Sequence, residues 1–496
     1  MRRLAADFGR AAALALAATA AGCSLQPVYE RPPLPVASAY PTGPAYKESV
    51  AAGTAVPAVD IGWRDFLKDP RLQRIVEIAL ANNRDLRVAA LNISQFQAQY
   101  RIQRSNLFPQ ISAGASEDAS RAPLASAGRN VTTHVYSVGV AASWELDFFG
   151  RLRSLNEQAL QQYFASAQAG KATYIALVSQ VADQYLTMLA ADELLAVTQR
   201  TLETAQESYQ LTLAQFQAGT GTELAVRQAE TVVENAKASY AAQVRSRAQA
   251  ENGLVLLVGE PLPADLPPGV PFNSQAFLAD IPADLPSDLL ARRPDIIEAE
   301  ASLRAANANI GAARAAFFPT INLTGSLGTE SVELSKLFGG GSFAWSFVPS
   351  ITTPIFQGGR LRANLDLAQL QKETSIAQYE KAIQTAFREV ADGLAARGTY
   401  DDQIASLQRY VAAYQAAFEL SLLRFRTGVD SYLNVLTAQN NLYNAEQTLV
   451  TARLDRLTNL VGLYQQLGGG WIEQTGDAPR PAEDLAPSPP RLSLIP

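Results

Sequence analysis

One cysteine and one histidine occur in 496 residues. A disulfide needs a second cysteine, a zinc centre usually draws on several such ligands, and a Cys/His nucleophile pair would use up both residues, so all three are nearly excluded. No nucleophile–base pair or phosphate-binding loop stands out, so an enzyme is not expected, nor any cofactor other than a covalent lipid. The lone His134 falls in a strand or at its rim, where a surface role is expected. The net charge is -6, with no basic stripe, which argues against nucleic acid as a partner. Beyond residue 23 no apolar run is long enough for a membrane-spanning helix, so a membrane could be crossed only as a closed β-barrel. The 48% hydrophobic content nevertheless suits a folded chain.

What is present begins at the N-terminus. Arg2, Arg3 and Arg10 precede a short apolar stretch, Ala11 to Ala21, that ends in Ala20-Ala21-Gly22-Cys23. Charge, a short apolar run and small residues before a cleavage point form a secretory signal. The single thiol at its end resembles the bacterial lipobox, with Ala20 where leucine is usual. Cys23 is therefore the expected lipidation site and first mature residue. An Ala-rich secretory signal with an incidental cysteine is the alternative. Ser24, rather than Asp, fits sorting to the outer membrane.

The rest is a duplication with a spacing of about 210 residues. Leu80-Ala81-Asn82-Asn83-Arg84-Asp85-Leu86 matches Leu290-Ala291-Arg292-Arg293-Pro294-Asp295-Ile296, and Phe108-Pro109 matches Phe318-Pro319. Gly150-Arg151-Leu152-Arg153 then matches Gly359-Arg360-Leu361-Arg362, Val181-Ala182-Asp183 matches Val390-Ala391-Asp392, and Phe216-Gln217-Ala218-Gly219 matches Phe425-Arg426-Thr427-Gly428. The chain divides into a signal peptide (1–22), an extended N-terminal segment (23–65) and a first repeat (66–258). A proline-rich connector (259–286), a second repeat (287–467) and a C-terminal tail (468–496) follow.

Inside each repeat two strand-like segments follow the Phe-Pro pair. Residues 131–148 place Tyr136, Val138, Val140, Ala142, Trp144, Leu146 and Phe148 on one face, with mostly small or polar residues on the other. Phe343, Trp345, Phe347 and Ile351 repeat the pattern, and 109–116 and 319–327 show weaker versions. Period-two alternation with aromatics on one face is the transmembrane-barrel signature, although a soluble sheet with one buried face gives the same pattern. Four strands cannot close a barrel, whereas three chains would supply twelve. The segments 117–130 and 329–341 are expected as exterior loops.

A long helix follows in each repeat. Residues 151–217 contain no proline and one interior glycine, Gly170, and 360–425 are equivalent. At 1.5 Å per residue each is roughly 100 Å long, too long for one compact domain, so coiled-coil association is expected. Returning helices are expected over 223–258 and 431–466, stacked end to end with helical segments near 80–107 and 290–317. A plain envelope coiled coil would share these helices but not the alternating strands.

These features together resemble the TolC-like outer-membrane factor family, in its OprM-like efflux lipoprotein branch. The residues carrying the resemblance are Cys23-Ser24-Leu25-Gln26-Pro27-Val28-Tyr29-Glu30-Arg31-Pro32, Arg292 to Ile296, Phe425 to Gly428, Leu460 to Tyr464, and Gly468-Gly469-Gly470-Trp471. The resemblance implies an α+β membrane protein working as a homotrimer. Its twelve-stranded β-barrel in outer-membrane lipid would continue into a twelve-helix barrel crossing the periplasm, with an equatorial belt from the connector and terminal segments. It further implies the exit duct of a tripartite efflux pump for drugs and other amphiphiles, with a periplasmic adaptor and an inner-membrane transporter of the RND type as partners. A type I secretion channel would share the fold and gate; the lipobox favours efflux.

The two Phe-x-x-Gly turns are then the periplasmic tips. Gly219, Thr220, Gly221 and Thr222 in the first, and Gly428 and Val429 in the second, are the expected adaptor contacts. Leu433 matches the family's gating leucine. The family's gate aspartates fall on Asn434 and Thr437, both neutral, which puts the usual carboxylate ring in doubt; Asp430, Glu223 and Glu230 are the nearby acids that could replace it, or be merely solvated. Carboxylates converging on a narrow pore attract cations, so their replacement predicts weak block by divalent ions.

Overall fold

The computed structural model describes residues 24–46, 56–124, 129–272 and 292–486. The signal peptide, Cys23 and the second half of the connector (273–286) lie outside the described residues. The elements in chain order are α1 (Pro70–Asn82), α2 (Arg84–Ser105), β1 (Gln110–Leu124), β2 (Arg129–Leu146), α3 (Arg151–Gln217) and α4 (Glu223–Val258). The second repeat gives α5 (Pro294–Ala315), β3 (Thr320–Ser331), β4 (Phe343–Thr352), α6 (Arg360–Arg426) and α7 (Tyr432–Gln466). The helices α3 and α6 each hold 67 residues. Contacts divide the chain into two units, one comprising Met1–Pro33, Asn92–Ser166 and Glu298–Glu380, the other Leu34–Leu91, Ala167–Ile297 and Lys381–Pro496.

The first unit is built around a four-stranded antiparallel sheet in the order β1-β2-β3-β4. Its pairing runs from Gln110↔Ser143 to Leu124↔Arg129, from Tyr136↔Ser331 to Leu146↔Ile321, and from Thr320↔Thr352 to Thr329↔Phe343. This register puts most of the large apolar side chains of all four strands on one face, Val131, Val135 and Val348 excepted. That face is not covered by the chain: Ile111 is 74% exposed, Trp345 70%, Phe347 61% and Ile351 69%. A soluble sheet would bury it against its own core. The central pair, β2 with β3, is in register over β2 residues 136–146, about the 9–11 residues of a membrane strand. The opposite face carries small residues, with Ser116 and Ser137 hydroxyls 2.9 Å apart and those of Ser326 and Ser346 2.7 Å apart.

One expectation is corrected here. Residues 117–124 and 129–130 are strand rather than loop, because β1 continues to Leu124 and β2 begins at Arg129. Before Tyr136 β2 has no pairing with β3, so there β1 and β2 continue as a two-stranded ribbon. Backbone pairing, rather than an apolar face, defines it, and amphipathic alternation therefore could not reveal it. Among the described residues no helix is long and apolar enough to cross a membrane.

The second unit has its own core, in which Trp63, Phe66, Leu72, Ile75, Tyr185, Leu254 and Tyr464 are among the most deeply buried. Phe66 stacks on Tyr464 with ring centroids 4.0 Å apart, and the Tyr464 hydroxyl donates to the Ile61 carbonyl at 2.6 Å. The N-terminal and C-terminal segments meet through Trp63 N to Ile472 O at 3.0 Å and Arg64 N to Glu473 O at 3.1 Å. The carboxylate of Asp69 caps α1 through Arg71 N at 2.8 Å and also accepts from the Tyr185 hydroxyl at 3.0 Å.

The helical stretch near 80–107 is two helices, not one. Asn83 is extended, and its Oδ1 caps α2 by accepting from Leu86 N at 2.9 Å. Its Nδ2 donates to the Leu257 carbonyl at 2.8 Å, so the start of α2 meets the end of α4. The matched position in the second repeat is Arg293, whose guanidinium donates to the Gln466 carbonyl at 2.9 Å and joins the start of α5 to the end of α7. Both joints satisfy a carbonyl that a helix end would leave unpaired. The end-to-end helix pairs expected from the sequence are present. Each long helix is also tied sideways to its returning partner: Gln184 Nε2 donates to Ala250 O at 2.8 Å, and Asn459 Nδ2 to Gly393 O at 3.1 Å. The same two positions form the tie in both repeats, with the donor on opposite helices.

Candidate functional site: the paired helical tips

Both tips belong to the second unit and share one backbone design. At the first, Gly219 has φ 74°, and Thr220 N and Gly221 N donate to Gln215 O at 2.9 and 3.0 Å. At the second, Gly428 has φ 76°, and Val429 N and Asp430 N donate to Arg424 O at 2.9 and 3.3 Å. A residue with a Cβ is disfavoured at such positive φ, which accounts for glycine at both matched positions. Thr222 then caps α4, its hydroxyl accepting from Ala225 N at 3.2 Å. At the second tip the place of this cap is taken by Ser431, which makes no such bond.

A cleft of about 620 Å³ opens between the tips, lined by Thr220, Thr222, Leu224, Phe425, Asp430 and Leu433 among others. Its floor is aromatic: Tyr432 is 2% exposed and lies 5.4 Å, centroid to centroid, from Phe425. Burial pushes the Tyr432 phenol up to about 12, so it stays protonated at any physiological pH. Around the cleft, apolar side chains stand uncovered: Leu224 is 68% exposed, Val429 62% and Leu433 52%.

The structure thus brings Gly219, Thr220, Gly221, Thr222, Gly428 and Val429 to the tips, with Asp430, Glu223 and Leu433 beside them. Leu433, Asn434 and Thr437 are all exposed on the first turns of α7, and Thr437 Oγ1 donates to Leu433 O at 2.9 Å. The three acids are each held by an arginine of the same chain. Arg424 Nε contacts Asp430 Oδ2 at 2.5 Å and holds its carboxyl below the ordinary carboxylate range. Arg227 reaches Glu230 at 2.9 Å and Glu223 at 3.4 Å. The tip acids therefore carry their counter-charges with them.

Sequence reasoning named the acids but missed both arginines. The Glu223–Arg227–Glu230 spacing, i to i+4 and then i+3, is a helix-face signal that could have revealed one. The Arg424–Asp430 pair spans a turn and has no such signal. Tyr432 was also missed, since nothing in its spacing separates a cleft floor from an ordinary core residue. His134 sits on the ribbon of the first unit, its Nδ1 2.8 Å from Glu117 Oε1, both side chains nearly half exposed. Among the described residues no group of three or more His, Cys, Asp or Glu is placed to hold a metal ion.

Comparison with known proteins gives consistent matches. The outer membrane efflux protein family matches residues 75–260 and 285–469, one segment for each repeat. The chain is 49% identical over 481 residues to the toluene efflux pump outer membrane protein TtgC of Pseudomonas putida, covering 96% of this chain and 99% of that one. It is 44% identical over 464 residues to the outer membrane protein OprJ of Pseudomonas aeruginosa, covering 93% and 96%. Among solved structures, the open state of the Neisseria gonorrhoeae MtrE outer membrane channel superimposes with a TM-score of 0.82 at 43% identity, covering 92% of this chain and 100% of that one.

Proposed function

The chain belongs to the outer membrane efflux protein family, and from that premise we propose that it works as a homotrimer, the exit duct of a tripartite pump. That it is an outer-membrane efflux protein follows from the family and its relatives. The trimer, the partners and the anchor are the finer reading.

The observation that carries the trimer is the uncovered aromatic face of a sheet with only four strands. Such a sheet leaves two open edges, which lipid does not tolerate. Three copies would close twelve strands into a barrel, with the Ser- and Gly-rich face toward the lumen. The lipobox supports acylation of Cys23 and outer-membrane retention. The tips support docking of a helical hairpin from a periplasmic adaptor, whose apolar side chains would cover Leu224 and Val429 above the aromatic floor. An inner-membrane transporter of the RND type would drive the cargo, and the duct itself would be passive. The relatives are named for toluene, other solvents and antibiotics, which supports small amphiphiles as cargo here.

The test is reconstitution of the acylated protein in a planar bilayer, together with cysteine cross-linking from Thr222→Cys to a co-expressed adaptor. Discrete conductance and a cross-linked adaptor are expected. A preparation that inserts yet never conducts would sink the duct, and loss of the cross-link alone would sink the docking surface.

A further inference from the structure

The segment Ser24–Arg31 forms neither helix nor strand, yet five of its eight residues are engaged by one face of α5. Arg31 Nη2 pairs with Glu300 Oε2, and the Tyr29 hydroxyl donates to Glu300 Oε1 at 3.2 Å. The Arg304 guanidinium lies 5.0 Å above the Tyr29 ring and also pairs with Glu300 at 2.7 Å. Asn307, fully buried, donates to the Pro27 carbonyl at 2.8 Å. Gly311 lies against Gln26: a Cβ there would stand 2.8 Å from Gln26 Cα. Arg314 reaches the Leu25 carbonyl at 3.4 Å.

Glu300, Arg304, Asn307, Gly311 and Arg314 follow the alternating spacing of four and three that marks one helix face. The segment runs antiparallel to them, and the lengths agree. From Arg31 to Leu25 an extended chain covers about 20 Å at about 3.3 Å per residue. From Glu300 to Arg314 the helix covers about 21 Å at 1.5 Å per residue. Segment and helix therefore stay in step over the whole run, and each contact fixes the register of the next. At the Arg31 end of the run the Glu300 side chain is 7% exposed, between arginines about half exposed.

We propose that this strap is a gauge for the lipid anchor: by locking Leu25–Arg31 to α5 it fixes the height of the acylated chain end relative to the strands. The locked run ends beside Arg314, in the last turn of α5, and β3 begins at Thr320. Cys23 is one peptide bond beyond Ser24, so acyl chains attached to it would enter the bilayer at a level set by the strap rather than by a loose tether. The partner surface is one leaflet of a membrane whose depth is matched to the sheet. The inference rests on the reading that Cys23 is acylated.

The experiment uses the full-length protein in lipid vesicles, with Val28→Cys carrying a bimane fluorophore. Val28 is 83% exposed and takes no part in the lock. Acylation is followed by incorporation of an alkynyl palmitate, and depth by quenching with lipids spin-labelled at the headgroup or along the chain. Tyr29→Ala with Arg31→Ala releases the strap from its own side and leaves α5 intact; Ser302→Ala, an exposed change on α5 outside the lock, is the control. Full-length chain and Ser302→Ala are expected to share one sharp depth. The release variant is expected to stay acylated and inserted, with a shifted and broadened depth. An unchanged depth in the release variant, with acylation intact, overturns the gauge alone. Absence of palmitate on Cys23 overturns the gauge and the anchor together.

Discussion

Arg293 offers the sharpest test of how the second repeat is held. Its side chain is 9% exposed, and its fork meets Asp295 at 2.6 and 3.0 Å, Glu389 at 3.0 Å and the Gln466 carbonyl at 2.9 Å. Arg293→Ala removes four charge-assisted bonds at once and strands two carboxylates and a helix-end carbonyl. Breaking a buried pair by deleting one partner costs about 3–5 kcal/mol. Asp295 and Glu389 keep 43% and 31% of their side-chain surface, however, and water can re-solvate them. Discounting for that leaves about 2–3 kcal/mol. Arg293→Lys keeps the charge but not the planar fork, and about half the loss is expected. The first repeat makes its joint with a neutral amide, so Asn83→Ala should cost only about 1–2 kcal/mol, the sum of one carbonyl bond and one cap. The assay is guanidinium unfolding in detergent, followed by helical circular dichroism on all three variants. A loss below about 1 kcal/mol for Arg293→Ala, or a lysine variant equal to the parent, would refute the account of the joint.

Three further outcomes are expected. Asp183 has a carboxylate oxygen that is buried without a hydrogen bond, and burial pushes the group up to about 7 from its ordinary 3.8. Because the folded state holds a proton that the unfolded chain releases above about pH 4, the group costs stability as pH rises, in full above about 7. Asp183→Asn should therefore raise the unfolding midpoint at pH 8 and leave it unchanged near pH 4; equal gains at both pH values would contradict this. Asn434→Asp with Thr437→Asp should increase cation selectivity and bring on block by divalent ions in single-channel recordings, against weak block in the parent. Strong divalent block of the unsubstituted channel is the result that rules this out. Gly428→Ala meets no atom within 4 Å, so its cost of about 1 kcal/mol would come from backbone conformation alone, and a calorimetric midpoint equal to the parent's would count against that.

Much of this architecture is legible in the residues. The proline-free runs announced α3 and α6 to within a residue, because helix propensity and capping are local. The matched landmarks announced the duplication, and the glycines announced the tips. Long-range pairing was not legible. Nothing near Asn83 says that it reaches Leu257, and nothing near Arg293 says that it reaches Gln466. The ribbon of β1 and β2 escaped because Asp118, Ala119 and Ser120 carry no apolar contrast between faces. At the tips, the acids were visible as charges, while their neutralisation by Arg424 and Arg227 depended on where a turn and a helix face placed the guanidinium groups.

The twin 67-residue helices also bear on how the two halves of the gene could drift apart. The distance between matched landmarks shortens by one residue between Phe108/Phe318 and Gly150/Gly359, and stays constant from there to the tips. All of that change falls in the strand region. One residue added to α3 or α6 would turn every following side chain by about 100° and misalign both the sideways ties and the tip cleft. A residue added to a hairpin end moves only a turn. Length variation should therefore collect at the outward-facing hairpins, leaving the helical half to evolve by substitution alone.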